Sequence, residues 1–288
     1  MMRIMVTGSS GQLGSDVTAL LKERGHEVIA ADLPQFDITK PELVENFIKE
    51  NSPDAVIHLA AYTAVDKAEE EKELCFAVNA LGTENVAKVC GENNIKLLYT
   101  CTDYVFGGDG DKFYEITDTK CPCNVYGETK LYGEEAIKKY CEKYFIVRIS
   151  WVFGPNGKNF VYTMLNLAEK RDEINVVCDQ VGSPTYTPDL SRLIGDMIVT
   201  EKYGTYHASN EGICSWAQFA EEIMQMSGKK TKINPIPTSE YPVAAKRPLN
   251  SRLSKASLDA ADFERLPHWK DALERFLALC RETENNQK

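Results

Sequence analysis

Short apolar runs alternate with longer amphipathic stretches through the first half of the chain. The apolar runs span residues 3–7, 27–32, 55–61, 95–101 and 144–150, and the amphipathic stretches span 12–24, 41–50, 73–93 and 125–140. Near-continuous apolar strands separated by helices are typical of a parallel sheet that helices cover on both faces. The pattern therefore predicts a doubly wound α/β fold whose ligands bind at the carboxyl ends of the strands.

The alternation becomes less regular after residue 150. We predict helices near 161–169 and 189–199 and strands at 174–179 and 204–209. Helix 189–199 and strand 204–209 are expected to return to the sheet, whereas 216–227, 234–242 and 258–280 are not. The predicted units are a sheet domain of residues 1–150 plus about 186–210, and a smaller, discontinuous α/β lobe of about 151–185 plus 211–288.

Composition narrows the classes of partner. The chain has 288 residues, of which 43% are hydrophobic, enough for a sizeable buried core. Its formal net charge of −10 argues against nucleic acid or an anionic membrane as the main partner, because both are bound through basic faces. Apolar runs stay below the ~18 residues of a membrane span. Residues 1–6 begin a strand without a signal-peptide layout, so we expect a cytoplasmic protein.

The nine cysteines are an odd number, spread through predicted helices and strands, so reduced thiols are expected rather than a disulfide framework. Cys121 and Cys123 form the close pair, and Cys101 precedes them. A zinc site is disfavoured because the chain has no second such pair and only four His. The sequence therefore predicts no metal site within the chain.

Three glycines, Gly8, Gly11 and Gly14, follow the first predicted strand and open the first predicted helix. Such glycines let the chain turn, let backbone N–H groups approach a pyrophosphate, and let the helix pack close to the strand. Asp32 ends the second apolar run, where an acidic side chain accepts hydrogen bonds from an adenosine ribose. A turn-forming Asp before Pro34 is the alternative. Position favours the ribose, and the larger unit is predicted to be a Rossmann-like dinucleotide-binding domain.

Tyr126 and Lys130 share one face at the start of the helix that follows the fourth predicted strand. A free phenol titrates near ~10, and a neighbouring ammonium is expected to lower that pKa toward the working range of a general acid. Thr102 ends the fourth strand at the same edge, where its hydroxyl could hold a substrate carbonyl against the phenol. Capping of a helix or turn is the alternative role for Thr102.

These residues resemble the signature of the extended short-chain dehydrogenases/reductases, GxxGxxG plus YxxxK. Within that superfamily the chain is similar to the dTDP-4-dehydrorhamnose reductases. The matching segments span nearly the whole length and are TGSSGQLG, HLAAYTAVDKAE, CTDYVFGG, NVYGETKL, RISWVFG, NF at 159–160, DQVGSPT and RPLNSRL at 247–253. Cys101 departs from the family pattern, which usually has Ser there.

The resemblance implies reduction of the C4 ketone of dTDP-4-dehydro-L-rhamnose to dTDP-L-rhamnose, in dTDP-rhamnose biosynthesis. It implies that Tyr126 protonates the nascent alkoxide, Lys130 tunes Tyr126 and binds the nicotinamide ribose, and Thr102 polarises the ketone. Together with the glycine turn and Asp32, it gives the cofactor-binding set Gly8, Gly11, Gln12, Leu13, Gly14, Asp32, Asp37, Ile38, Ala60, Ala61, Tyr62, Thr63, Thr100, Tyr126 and Lys130. The implied substrate-binding residues are Thr102, Asp103, Trp151, Arg247, Asn250 and Ser251.

Two of the implied substrate residues also have ordinary structural explanations. Arg247 and Arg252 fall in a loop of the smaller lobe, and a guanidinium suits bidentate phosphate binding, but a surface salt bridge is the usual fate of Arg. Trp151 lies at the carboxyl end of the fifth strand, which favours a sugar platform, although a Trp there is more often core. On the functional interpretation, the smaller lobe binds the substrate.

NADH is the expected reductant, because Asp32 would repel a 2′-phosphate and no base follows it before Lys40. NADPH use, Mg at a subunit interface as in some family members, and a homodimer stay open. Two other functions compete with the reductase. One is another nucleotide-sugar epimerase, dehydratase or reductase, and the other is a non-catalytic dinucleotide-binding regulatory subunit related to the methionine adenosyltransferase beta subunit. Intact Thr102, Tyr126 and Lys130 favour an enzyme.

Overall fold

The computed structural model describes residues 1–286, and side chains through residue 283. The last two residues of the predicted smaller lobe lie outside the described residues. The α-helices are α1 (Gln12–Glu23), α2 (Pro41–Asn51), α3 (Val65–Ala68), α4 (Lys72–Phe76), α5 (Thr83–Glu92), α6 (Val125–Tyr140), α7 (Phe160–Ala168), α8 (Thr187–Ile198), α9 (Trp216–Ser227), α10 (Ala256–Ala260) and α11 (Trp269–Asn286). A π-helical segment spans Ala77–Gly82, and 3₁₀ turns span Asp103–Val105 and Thr238–Glu240.

The strands are β1 (Arg3–Thr7), β2 (Glu27–Ala31), β3 (Ala55–His58), β4 (Lys96–Thr102), β5 (Tyr144–Ile149), β6 (Val152–Phe153), β7 (Glu173–Val177), β8 (Val181–Gly182), β9 (Thr185–Tyr186), β10 (Gly204–His207), β11 (Cys214–Ser215), β12 (Lys232–Ile236) and β13 (Asn250–Ser251). Six of them form the main sheet, in the order β10-β5-β4-β3-β1-β2, and every pairing is parallel. The strand order reverses between β1 and β3, and a crevice forms where the carboxyl ends of such strands diverge.

Helices cover both faces of this sheet. Along β1, Met5 contributes to the core under α2 and α5, whereas Ile4 and Val6 contribute to the core under α1 and α8. Successive side chains of a strand point to opposite faces, so burial on both sides requires the continuous apolar runs seen in the sequence. The predicted doubly wound, Rossmann-like sheet is confirmed.

The amphipathic stretch predicted as one helix over residues 73–93 is divided by the π-helical segment Ala77–Gly82. In that segment, Asn79 accepts a hydrogen bond from the Tyr62 N–H at 2.7 Å and donates one to the Tyr62 carbonyl at 3.0 Å. The wider turn therefore lies where the helix meets the loop after β3. Such π-bulges occur often beside functional sites, and the apolar period of the sequence does not reveal them.

The remaining elements build a second core from α7, α9 and α11 with β7 and β12. Strand β10 pairs with β5, and α8 packs on α1, so both return to the main sheet. The expectation that 258–280 stays away from that sheet is wrong for Leu258, Phe263 and Leu266, which pack in the core under α1 and α8. Pro267 separates this part from α11, because proline disfavours a continuing helix. The boundaries of the two units stay a prediction.

A buried ion pair joins the sheet to α6. The Arg148 guanidinium in β5 contacts both carboxylate oxygens of Glu134 in α6, with Nε–Oε1 at 2.7 Å and Nη2–Oε2 at 2.8 Å. Both side chains are 0% exposed. Arg148 Nη1 also donates to the Ile116 carbonyl and lies 3.1 Å from His207 Nε2 in β10. The guanidinium thus ties together β5, β10 and the helix that carries Tyr126.

Removing one partner of this pair should destabilise the fold. We expect Arg148→Met to lower the free energy of unfolding by ~3 to 5 kcal/mol, because Glu134 would stay buried without its counter-ion. Urea denaturation measures the change. The double variant Arg148→Met with Glu134→Leu should lose less, and Glu135→Gln, at an exposed position on the same helix, should be nearly neutral. A loss below ~1 kcal/mol for Arg148→Met would contradict the proposed importance of the pair.

Candidate active site

A cleft of about 740 Å³ opens at the carboxyl edge of the main sheet. The predicted site residues in its wall are Gly8, Gly11, Gln12, Leu13, Gly14, Asp32, Asp37, Ile38, Ala60, Ala61, Thr63, Thr100, Thr102, Asp103, Tyr126, Lys130 and Trp151. Tyr62, Arg247, Asn250 and Ser251 are described but lie outside that wall. Residues predicted from distant parts of the chain are therefore largely brought to one place.

The glycine turn at one end of the cleft fits a dinucleotide pyrophosphate. Gly8 has φ +66°, and a Cβ on Gly14 would lie 2.0 Å from the Gly8 carbonyl oxygen, so both positions exclude larger residues. Helix α1 starts at Gln12, and its N-cap Gly11 brings no side-chain cap. The first N–H groups of α1 are thus suited to an anion.

Asp32 follows β2 and is anchored to the glycine turn. Its Oδ2 accepts hydrogen bonds from Ser9 Oγ at 2.6 Å and from the Ser10 N–H at 2.9 Å. Because both bonds go to the same oxygen, Oδ1 is the oxygen suited to a ribose hydroxyl. The two serines belong to the GSSG turn at residues 8–11, and no role was predicted for them from the sequence.

Lys130 is held behind the sheet edge by its own hydrogen bond. Its Nζ donates to the Thr100 carbonyl at 2.9 Å and lies 4.1 Å from the centroid of the Tyr99 ring. Asn124 starts the helix by accepting the Gly127 N–H at 2.8 Å, which fixes the first turn that carries Tyr126. Burial lowers the pKa of Lys130 to about 8, while Cys101 and Glu134 oppose that shift.

The expected lowering of the Tyr126 pKa by Lys130 does not occur in the protein alone. Burial raises the pKa of Tyr126 well above its ordinary value, and Cys101 and Asp103 add to the increase. Desolvation of the phenol is the largest cause of this shift and sets its direction. The phenol is therefore fully protonated in neutral solution, as a proton donor must be.

Thr102 donates its hydroxyl hydrogen to Asp103 Oδ1 at 3.0 Å and accepts the Tyr104 N–H at 3.2 Å. Thr102 therefore has the capping role that was its alternative, because the hydrogen bond from the Tyr104 N–H caps the 3₁₀ turn Asp103–Val105. The second oxygen of Asp103 accepts a hydrogen bond from Ser251 of β13. Burial raises the pKa of Asp103 to about 6, although both hydroxyls lower it.

Arg247 forms a salt bridge, the ordinary structural role that the sequence analysis gave as the alternative to phosphate binding. Its Nη1 and Nη2 contact Asp66 Oδ1 and Oδ2 at 3.2 and 2.7 Å. Asn250 is buried and donates to the Lys112 carbonyl at 2.8 Å, so it supports the loop. The Tyr62 hydroxyl donates to Glu71 at 2.5 Å.

Trp151 lies in the cleft wall with a left-handed backbone, φ +49°, which is unusual for a bulky residue. Its ring stacks on Trp216 with centroids 3.9 Å apart and an interplanar angle of 16°. Trp216 also lines the cleft, and sequence reasoning missed it. The only signal was its residue type, because Trp216 opens α9 far along the chain from Trp151.

Among the side chains that the structure describes, through residue 283, no group of three or more His, Cys, Asp or Glu is placed to hold a metal ion. Within residues 1–286, none of the helices has the length and apolarity needed to span a membrane.

Residues 2–282 match the family model described as the RmlD substrate binding domain. The chain belongs to this family. Curated relatives include a dTDP-4-dehydrorhamnose reductase of Escherichia coli, 37% identical over 96% of this chain and 97% of that protein. Another is the spore coat polysaccharide biosynthesis protein SpsK of Bacillus subtilis, which is 39% identical over 96% of this chain and 97% of that protein.

Solved structures place this family member among Rossmann-like reductases. A dTDP-4-dehydrorhamnose reductase from Bacillus anthracis, in complex with NADP, is 42% identical, with a TM-score of 0.94 over 96% of this chain and 99% of that chain. A UDP-glucose 4-epimerase of Thermus thermophilus in complex with NAD has a TM-score of 0.82 over 96% of this chain and 98% of that chain. At 22% identity the epimerase shares the fold alone.

The desolvated lysine should leave a signature in the pH dependence of stability. Its pKa is lowered from 10.5 to about 8 on folding, so the unfolded chain binds more protons between these values. The penalty is fully present below about pH 8, and the contribution of Lys130 to the free energy of unfolding should rise by up to ~3 kcal/mol as the pH increases through this window. Lys130→Met should remove that increment, measured by urea denaturation at both ends of the window.

Lys139→Met, on the exposed face of the same helix, serves as the control for the loss of a positive charge. If the profiles of wild type and Lys130→Met run parallel, Lys130 is not desolvated in the folded protein.

Proposed function

We propose that the chain reduces the C4 ketone of dTDP-4-dehydro-L-rhamnose to dTDP-L-rhamnose. The observation that carries the proposal is the convergence of Thr102, Tyr126 and Lys130 beside the glycine turn in one cleft. A bound, reduced nicotinamide dinucleotide supplies the hydride in this chemistry. The family relationship and the dTDP-4-dehydrorhamnose reductases among the relatives support the same substrate.

In this proposal Tyr126 gives its proton to the oxygen of the reduced ketone. The raised pKa keeps the phenol protonated until negative charge develops next to it. Lys130, fixed by the Thr100 carbonyl, keeps two further N–H donors, which suit the hydroxyls of a nicotinamide ribose. The first turn of α1 would hold the pyrophosphate, and Asp37 and Ile38 would border the adenine.

Trp151 and Arg247 are the proposed substrate contacts on the side of the smaller lobe. Trp216 stacks on one face of the Trp151 ring, and the sugar would contact the part of that ring that lines the cleft. Arg247 engages Asp66 through its two terminal nitrogens, and its remaining N–H groups can receive a diphosphate. A homodimer and a Mg ion at a subunit interface remain part of the family-based proposal.

The deciding assay follows the absorbance of NADH and NADPH with enzymatically generated dTDP-4-dehydro-L-rhamnose. Tyr126→Phe should lower kcat by ~10² to 10⁴-fold while leaving NADH binding nearly unchanged, because only the proton donor is removed. Tyr132→Phe, at an exposed position on the same helix, is the matched control. More than half of wild-type activity in Tyr126→Phe would remove Tyr126 from the mechanism.

Failure of the wild-type protein to oxidise either reductant would overturn the reductase proposal. Dinucleotide binding without turnover would then indicate a regulatory subunit. Tightly bound nicotinamide and conversion of another nucleotide sugar without added reductant would indicate an epimerase or dehydratase.

We propose that the chain prefers NADH as the reductant and can also use NADPH. The solved structure of the Bacillus anthracis relative contains NADP. Asp32 would lie at contact distance from a 2′-phosphate. Two bases that could offset it are engaged elsewhere, Arg3 with Glu27 at 2.9 Å and Arg24 with Asp196 at 2.8 Å. Repulsion between the carboxylate and the phosphate therefore favours NADH.

Wild type should discriminate by ~1 to 3 kcal/mol in kcat/KM, and Asp32→Ala should reduce the ratio mainly by weakening NADH. Both reductants are compared at one moderate salt concentration, because ions screen the repulsion. Glu42→Ala, at an exposed position in α2, controls for the loss of a negative charge. Equal use of NADPH by the wild type would show that Asp32 does not select the cofactor.

A further inference from the structure

One buried side chain joins a loop of the predicted smaller lobe to the start of the helix that carries Tyr126. Asn124 Oδ1 accepts the Gly127 N–H at 2.8 Å and caps α6, while Asn124 Nδ2 donates to the Lys246 carbonyl at 2.8 Å. The Cys123 thiol lies 3.5 Å from the same carbonyl, but a thiol is a weak donor. Asn124 is 4% exposed, so water is a poor substitute for either amide bond.

The two ends of the Asn124 amide cannot be exchanged. In the reverse orientation its NH₂ group would face the Gly127 N–H, and its oxygen would face the Lys246 carbonyl. Aspartate and serine cap a helix about as well as asparagine. Aspartate, however, has no donor when ionised, and a serine hydroxyl ends one bond nearer the backbone. An asparagine is therefore matched to both bonds at once.

The same loop, residues 245–247, is also held by Asp66 of α3. Asp66 Oδ1 accepts the Ala245 N–H at 3.2 Å, and the Asp66 carboxylate pairs with the Arg247 guanidinium. Val65, the residue before Asp66, lines the cleft, so this ion pair lies at the rim of the cleft. Together with the bond to the Lys246 carbonyl, each residue of the loop is attached to the sheet domain.

Helix α3 is bonded to the start of α6 as well. Glu69, which directly follows α3, accepts the N–H of Val125 at 2.9 Å, and Val125 is the first residue of α6. Helix α3, loop 245–247 and the first turn of α6 thus form one hydrogen-bonded unit. Within this unit, the Asn124 side chain bonds directly to both the loop and the helix.

We propose that Asn124 is a positioning residue that fixes Arg247 of loop 245–247 relative to Tyr126 of α6. A nucleoside diphosphate bound by Arg247 would then bring its sugar to a defined distance from the phenol. The inference rests on the proposed function. It gives Asn124 a role beyond helix capping, namely donation to the Lys246 carbonyl.

Calorimetric titration with dTDP at saturating NADH tests this role without requiring turnover. Asn124→Ser and Asn124→Asp both keep a cap for α6, but both lose the amide donor to the Lys246 carbonyl. Each should raise the dTDP Kd by ~3- to 10-fold, the size expected for the loss of one hydrogen bond. Asn124→Ser should leave the NADH Kd and the urea midpoint close to wild type. In turnover, it should raise the substrate KM by the same factor.

The matched control is Asn51→Ser. Its amide donates to the Phe47 carbonyl within α2, so the same substitution there should leave the dTDP Kd unchanged.

A double-mutant cycle with Arg247→Ala shows whether Asn124 acts through the loop. If Asn124 positions Arg247, Asn124→Ser should raise the dTDP Kd by less than about twofold once Arg247 has been replaced by Ala. Effects of the two substitutions that simply multiply would overturn the positioning role.

Two further results would contradict the inference. One is a dTDP Kd within about twofold of wild type in both Asn124 variants. The other is an equal loss of NADH affinity, which would indicate a general disturbance of α6. If the buried charge prevents Asn124→Asp from folding, Asn124→Ser decides the question alone. A wild type that binds dTDP but oxidises neither reductant would overturn the proposed reduction, and the dTDP titrations would still decide the role of Asn124.

Discussion

The hydrogen bonds of Thr7 hold together the point where the strand order of the main sheet reverses. Its hydroxyl lies 2.7 Å from His58 Nδ1 and accepts the N–H groups of Leu59 and Ala60 at 3.2 and 3.1 Å. Burial, with a contribution from Lys130, lowers the pKa of His58 to about 3, so the ring stays neutral. The glycine turn and the loop after β3 diverge from this junction, and the cleft lies between them.

Helix α6 carries both the side chains at the cleft and one partner of the buried ion pair. Tyr126, Lys130 and Glu134 recur every four residues and therefore share one helix face. Glu134 is neutralised by Arg148 of β5, which fixes the second half of the helix against the sheet. Because both the ion pair and the Thr100 carbonyl hold this face, the helix cannot rotate without leaving a charge buried and unpaired.

Much of the site was predictable because its residues lie at strand ends or at helical spacing. The positions of Gly8, Gly14, Thr102 and Tyr126 follow from local periodicity and from the rule that ligands bind at carboxyl ends. The direction of a hydrogen bond does not follow from such rules. The sequence places Asp103 beside Thr102, but only the fold brings Ser251 to the other oxygen of that carboxylate.

By itself the sequence determined the parallel alternation, the glycine turn and the shared face of Tyr126 and Lys130, because each depends on neighbours within a few residues. Tertiary structure alone decided the stacking of Trp151 on Trp216 and the return of Leu258 to the main sheet. It also decided the protonation of the Tyr126 phenol, since desolvation depends on everything packed around a group. Contacts between distant segments and the burial of charge are properties of the assembled fold, which local patterns do not encode.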